Sequence, residues 1–307
     1  MKLVTFRFHE SNLVVSSPRL GALLGNGEYI LDFHKAFVAE GEHGGDLLSW
    51  FDLDGAWLPK CRKLYQTAIA RPDSSDQYPE GLAVINRSQV QVLAPVPRPG
   101  KIICIGLNYR DHAAENNVPV PKSPVIFSKF TTSTLAPNGD VRLPAKSTQV
   151  DYEAELAVVI GRRTKNVSAD RAYDYVLGYT NFNDVSARDF QFADGQWQRG
   201  KSCDTFAAFG EYITTTDEIP DPHKLSIKFR LNGNVMQDSN TNQLIFGVPP
   251  LIEFLSESIT LEPGDIIATG TPSGVGFART PPVFLKDGDI MEVEIEGLGI
   301  LKNKVVG

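Results

Sequence analysis

The sequence predicts a mixed α/β fold dominated by strands. Three observations carry this. Short runs rich in Val, Ile, Leu and Phe recur along all 307 residues, and Gly, Pro and Asn clusters bound them. Helical spacing is confined to a few brief stretches. A proline-marked segment, Val92-Leu93-Ala94-Pro95-Val96-Pro97-Arg98-Pro99-Gly100, fixes an extended path and excludes helix. It divides the chain into a small N-terminal α+β unit, residues 1–97, and a larger unit, residues 98–307.

In the first unit, residues 3–8, 13–15 and 29–32 read as strands, with a turn at Gly25-Asn26-Gly27-Glu28. Residues 46–52 and 59–71 have helical character, and residues 71–76 are polar and turn-rich, an exposed loop. His9, His34 and His43 have no ligand-like spacing and read as surface or turn residues.

The second unit opens with an apolar strand at residues 101–105, in which Cys104 is a small core residue. Asn108 is placed to cap a short helix with Asp111 in its first turn, and Pro119, Pro121 and Pro124 stop it. Few of its residues are apolar, which predicts a mobile lid. His112 and Glu115 stand i and i+3 on one face. A carboxylate on one imidazole nitrogen fixes the tautomer and leaves the other nitrogen to take a proton. An exposed pair with no function has the same spacing.

The run V-D-Y-E-A-E-L-A-V-V-I-G at residues 150–161 reads as a buried strand. Alternation along a strand puts Glu153 and Glu155 on one face. Two carboxylates so placed repel and lose hydration unless a cation sits between them. Asp184 ends the next apolar segment and offers a third carboxylate. Three oxygen donors without a nearby Cys or His suit Mg²⁺ or Mn²⁺, with Ca²⁺ as a substitute, rather than zinc. The competing reading is a salt-bridged strand end, neutralised by Arg162, Arg163 or Arg188. Arg188 and Gln191 share one face of a short helix, and Lys201 adds a cation that could stabilise an enolate or oxyanion.

Farther on, residues 226–232 alternate, Gly233-Asn234 reads as a hairpin turn, and Pro249-Pro250 open a helix at 248–256. The glycine-rich stretch Thr269-Gly270-Thr271-Pro272-Ser273-Gly274-Val275-Gly276 lacks the G-K-[ST] of a phosphate loop, but its glycines let backbone N–H groups approach an anion.

Composition narrows the function. The net charge of -7 and the absence of any Lys/Arg block exclude nucleic acid as a partner. No apolar run is long enough to span a membrane, and the first residues do not read as a signal peptide. Cys61, Cys104 and Cys203 form no C-x-x-C, which points to a reducing compartment, the cytoplasm, with the mitochondrion left open.

E-x-E, D-x-x-x-R-x-x-Q and G-K-S-x-D, together with G-x-N-Y-x-x-H-x-x-E, resemble the pattern of the fumarylacetoacetate hydrolase superfamily. The resemblance runs from about Arg98 to the C-terminus. It is strongest to the shorter fumarylacetoacetate hydrolase domain-containing proteins and to bacterial relatives with oxaloacetate decarboxylase or acylpyruvate hydrolase activity. It implies a rolled β-sandwich catalytic domain with a smaller N-terminal domain, in a homodimer. It implies Glu153, Glu155 and Asp184 as metal ligands and His112, Glu115 and Lys201 as catalytic groups. Lys129, Arg188, Gln191 and Thr271 would bind substrate. The implied activity is metal-dependent C–C cleavage of small 2-oxo acids through an enolate, by acylpyruvate-type hydrolysis or oxaloacetate decarboxylation. Oxaloacetate keto–enol tautomerisation and a non-catalytic metal-binding role are the alternatives. The short connection at residues 118–122 favours a compact substrate.

Overall fold

Polar and apolar residues alternate along Ser226–Leu231 and Ile290–Ile295, and in both strands every second residue is buried. Ala154–Ile160 and Val176–Asp184 lack that alternation, and both are buried along their whole length. The difference separates strands at the solvent from strands at the centre of the molecule. The structure, a computed structural model, describes residues 1–9, 17–38, 46–70, 82–115, 118–193 and 195–307. The strand expected at 13–15, the loop at 71–76 and His43 lie outside the described residues.

Two sheets form the body. The 13-stranded main sheet runs Val84–Asn86, Tyr29–Asp32, Arg19–Leu24, Lys2–Phe8, Ile213–Thr215, Val176–Asp184, Ala154–Ile160, Ile266–Ala268, Ile102–Gly106, Val125–Lys129, with short strands pairing beside this path. Lys2 stands opposite Thr214, so hydrogen-bonded pairing continues from residues 1–97 into 98–307. The second sheet has five strands, Asn234–Asn240, Ser226–Leu231, Ile290–Ile295, Gly299–Val306 and Asp140–Arg142. Its hairpin turns at Asn232-Gly233, one residue earlier than the sequence indicates, because both residues adopt positive φ (51° and 80°).

The sheets pack face to face. Ala154, Leu156, Val158 and Ile160 join Ile227, Phe229, Met291 and Val293 in one core. Ala157 and Val159 face the other way, into a core with Trp50, Phe51, Leu58 and Cys61 from the N-terminal residues. The strand-dominated mixed α/β sandwich expected from the sequence is the fold observed. Helices are few, and Leu58–Ile69 and Val248–Ser258 are the α-helices of more than two turns among the described residues. His34 is half-buried rather than on the surface: its ring stacks on Trp50, and Nδ1 accepts the Leu20 N–H at 3.2 Å. No helix among the described residues is long and apolar enough to cross a membrane.

Candidate active site

Pairing of Ala154–Ile160 with Val176–Asp184 places Glu155 opposite Phe182. One step beyond, the Asp184 N–H donates to the Glu153 carbonyl at 2.9 Å. Glu153, Glu155 and Asp184 therefore share one face at one end of the central strands. All three are buried, and each offers a carboxylate oxygen within 4.8 Å of the others.

Three cations surround them. Lys201 Nζ bridges Glu153 Oε2 at 2.7 Å and Asp184 Oδ2 at 2.9 Å. Arg188 Nη2 lies 2.7 Å from Glu153 Oε1 and 2.8 Å from Asp151 Oδ2. Lys129 bonds Asp184 Oδ1 and, at 3.0 Å, the Val185 carbonyl. Arg162 and Arg163, which could have neutralised the glutamates, pair instead with Asp54 and Glu262.

Glu155 differs from its neighbours. Its hydrogen-bond donor among the described residues is the Gly270 N–H at 2.9 Å. Burial, then the charges of Asp184 and Glu153, push its carboxyl well above the ordinary value. Burial acts on Glu153 in the same direction, but Lys201 and Arg188 overturn it and hold that carboxyl below the ordinary value. With Asp151, four carboxylates face three cations, and the excess charge falls on Glu155. The donor set is all oxygen, closely spaced and short of positive charge, and so fits a hard divalent cation.

The glycine-rich loop bonds the protein's own carboxylates. Gly270 N donates to Glu155, Gly274 N to Glu115 Oε1 at 2.9 Å, and Gly276 N to Asp151 Oδ1 at 2.7 Å. A Cβ at Gly274 would stand 2.1 Å from the Met236 carbonyl, with φ at +99°.

His112 and Glu115 lie on the short helix Arg110–Glu115, joined by Nδ1···Oε2 at 3.2 Å. The expected mobile lid is docked here. Asp111 Oδ2 accepts from Ser239 Oγ at 2.6 Å, Arg110 Nη1 donates to the Leu244 carbonyl at 2.7 Å, and His112 and Ala113 are buried. Polar anchoring replaces the apolar packing that the sequence lacks. Asn108 does not cap this helix. Its amide donates to the Phe246 and Thr269 carbonyls, and its Oδ1 accepts the Phe246 N–H, tying three loops together.

His112, Glu153, Glu155, Arg188, Gln191, Lys201 and Thr271 line one cavity of about 300 Å³. Thr271 Oγ1 accepts from Gln237 Nε2 at 2.8 Å, and Gln191 Oε1 accepts from Arg188 Nη1 at 2.9 Å. Lys129, expected near the substrate, has its ammonium on Asp184 and the Val185 carbonyl and is not among the described residues that line this cavity. Sequence reasoning missed Asp151, the partner of Arg188. Its signal was present: it stands two residues before Glu153, continuing the same alternation. It also missed the aromatic side of the cavity, where residues distant in sequence meet.

Residues 101–306 match the family model described as fumarylacetoacetate (FAA) hydrolase C-terminal. A mitochondrial oxaloacetate tautomerase of Xenopus laevis is 43% identical over 318 residues, covering 100% of this chain and 90% of the relative. Among solved structures, a 5-carboxymethyl-2-hydroxymuconate delta-isomerase of Mycobacterium smegmatis matches with a TM-score of 0.74 and 34% identity, over 100% of this chain and 99% of that one. A maleylpyruvate hydrolase of Sphingobium matches with a TM-score of 0.76 and 32% identity, over 100% and 99%.

Proposed function

The chain is an enzyme that belongs to the fumarylacetoacetate hydrolase family, and from that premise we propose that it moves a proton at the carbon beside the ketone of a small 2-oxo acid, oxaloacetate keto–enol tautomerisation being the leading reaction. One observation carries the reading: His112, held by Glu115, shares a single small cavity with Glu153 and Glu155 of the buried carboxylate triad.

Glu153, Glu155 and Asp184 would hold Mg²⁺ or Mn²⁺, with Ca²⁺ as a substitute. Such an ion, when bound, polarises a ketone and offsets negative charge as it develops. His112 Nε2 takes the proton from C3 of the keto form and delivers it to the former ketone oxygen, and the reverse direction runs the same two transfers backwards. Glu115 holds Nδ1 and steadies the imidazolium between the two transfers. The Lys201 ammonium offsets charge on the ketone oxygen. Arg188 holds Gln191 Oε1, which leaves Gln191 Nε2 to donate to a substrate carboxylate. Thr271 accepts from Gln237, so its own hydroxyl proton is directed to the substrate. In the net step a C3–H bond breaks and an enol O–H forms, without redox change.

C–C cleavage is the second reading. The maleylpyruvate hydrolase among the structural neighbours favours it, and the same His112–Glu115 pair could activate water. Residues 98–307 supply every site side chain, so we assign catalysis to them and support to residues 1–97. A homodimer in a reducing compartment, cytoplasmic or mitochondrial, completes the proposal, and all three cysteines are free.

The test follows oxaloacetate enol absorbance and pyruvate together, with protein loaded with Mg²⁺ or Mn²⁺. The expected outcome is metal-dependent relaxation of the enol without pyruvate. Pyruvate appearing as fast as the enol disappears would replace this reading with cleavage.

A further inference from the structure

Arg188 stands between two carboxylates and is held unequally by them. Its Nη2 lies 2.8 Å from Asp151 Oδ2 and 2.7 Å from Glu153 Oε1, and neither contact is an aligned hydrogen bond. The aligned bonds go elsewhere: Nε donates to Asp151 Oδ2 at 2.9 Å, and Nη1 to Gln191 Oε1 at 2.9 Å. The Phe277 ring covers one face of the guanidinium, its centroid 4.4 Å from Cζ. Arg188 therefore faces Glu153 with its charge but is held in place by Asp151.

Asp151 cannot follow the guanidinium. It is buried, and three backbone N–H groups fix it: Tyr152 N at 2.8 Å and Gly276 N at 2.7 Å on Oδ1, and Phe277 N at 3.1 Å on Oδ2. A Cβ at Gly276 would stand 2.5 Å from Oδ1 and 1.9 Å from the Val283 carbonyl oxygen, so the loop comes this close only as glycine. Asp151 is not among the described residues that line the cavity. Its charge acts on the site through Arg188. With Asp151, the carboxylates outnumber the cations by one; without its charge the two sets balance. Lys201 already divides its charge between Glu153 and Asp184. A whole guanidinium on Glu153 as well would leave the triad no excess charge with which to attract a hard cation.

We propose that Asp151 is a positioning residue for the metal centre: it draws Arg188 away from Glu153 and so keeps that carboxylate available to a divalent cation. This rests on the reading of Glu153, Glu155 and Asp184 as metal ligands, and it is independent of which 2-oxo acid reaction follows. The same contact ties the centre to the glycine-rich loop, because the carboxylate that restrains Arg188 is the one that Gly276 and Phe277 hold.

The test is calorimetric titration of Mn²⁺ into metal-free protein: wild type, Asp151→Asn, and the double variant Asp151→Asn/Arg188→Met. Asparagine keeps the shape of the side chain and an acceptor for Gly276 and Tyr152 while removing the charge. Methionine keeps much of the length of Arg188 against Phe277. The expected result is a Kd raised about tenfold or more in Asp151→Asn and restored to within about threefold of wild type in the double variant, which has lost one charge of each sign. A role in folding alone would not give that recovery, and melts in chelator on the same preparations read stability separately. If Asp151→Asn does not fold by itself, the double variant decides: Mn²⁺ affinity near wild type supports the proposal, and its loss overturns it. Unchanged affinity in Asp151→Asn, or equally weak affinity in both variants, would overturn the proposal and leave the metal site standing. Absence of Mn²⁺ binding by the wild type would overturn the metal reading and this proposal with it.

Discussion

The floor and the cover of the cavity are built in opposite ways. Glu155 and Asp184 stand on central strands buried along their whole length, and Glu153 directly precedes one of them. Their positions are set by the backbone ladder, so they are fixed once the sheet forms. His112 and Glu115 stand on a six-residue helix that buries little apolar surface. That helix is held by Asp111 to Ser239, Arg110 to the Leu244 carbonyl, and Glu115 to the Gly274 N–H. Each such bond contributes about 1 kcal/mol, somewhat more where a charge takes part. The part that concentrates charge is thus pre-organised, and the part that moves protons is adjustable. The glycine-rich loop links them, with Gly270 on the floor and Gly274 at the cover.

The strongest way to break this contrast is to remove charge from the floor. Glu155→Gln should abolish divalent-cation binding in calorimetry. In the wild type, metal at roughly 100 times Kd adds about 2.7 kcal/mol of stability; in the variant the melting temperature should not move. Glu155 also predicts a pH trend in metal-free protein. Its folded carboxyl titrates well above the ordinary 4.5, so the folded state retains a proton that the unfolded chain has lost. That contribution to stability is present below pH 4.5 and is lost as pH rises through the raised value. Thermal melts in chelator should show the decline in wild type and a flatter profile in Glu155→Gln. An equal metal-induced shift in both proteins would mean that Glu155 is not a ligand.

Next in size is the cover. His112→Ala should lower the rate of proton transfer or hydrolysis by about 10²–10⁴, the usual worth of general acid–base catalysis. Metal affinity should stay within about twofold, since floor and cover are separately held. If decarboxylation is assayed, the loss should be milder, because no water needs activation. Equal losses on every reaction, or a matching drop in metal affinity, would show that the two parts are not independent.

How much of this was legible in the sequence follows the same division. The floor was readable because strand alternation is local: E-x-E puts two carboxylates on one face whatever the rest of the chain does. Asp184 was readable as the carboxylate that ends the next apolar segment, and Lys201 through the resemblance of G-K-S-x-D to the family pattern. Which cation sits on which carboxylate was not, since Lys129 and Asp184 are 55 residues apart and only the fold brings them together. Asn108 looked like a helix cap because capping is the commonest local use of its side chain. Its actual partners, Phe246 and Thr269, lie 138 and 161 residues away. The lid looked loose because apolar content measures one kind of anchoring, while Ser239 and Gly274 supply another. The aromatic wall joins residues 127, 192, 197 and 277, and no single window of sequence contains it.

The smallest expected effect tests whether the cover is positioned by its anchors. Asp111 accepts from Ser239 with one oxygen and from its neighbour's N–H, that of His112, at 2.8 Å with the other. Ser239→Ala frees one side of that carboxylate while Arg110 and Glu115 keep their bonds. A loss of about 1 kcal/mol in holding the helix corresponds to roughly fivefold in the population of the docked arrangement. The change should therefore appear as a few-fold drop in kcat with metal affinity preserved, and Ser239→Thr, which keeps the hydroxyl, should restore most of it. A structural role for Ser239 in the sheet would instead lower the melting temperature and leave kcat per folded molecule untouched. The rate, the melt and the hydroxyl rescue, measured on the same preparations, decide between a residue that aims His112 and one that merely fills the strand Asn234–Asn240.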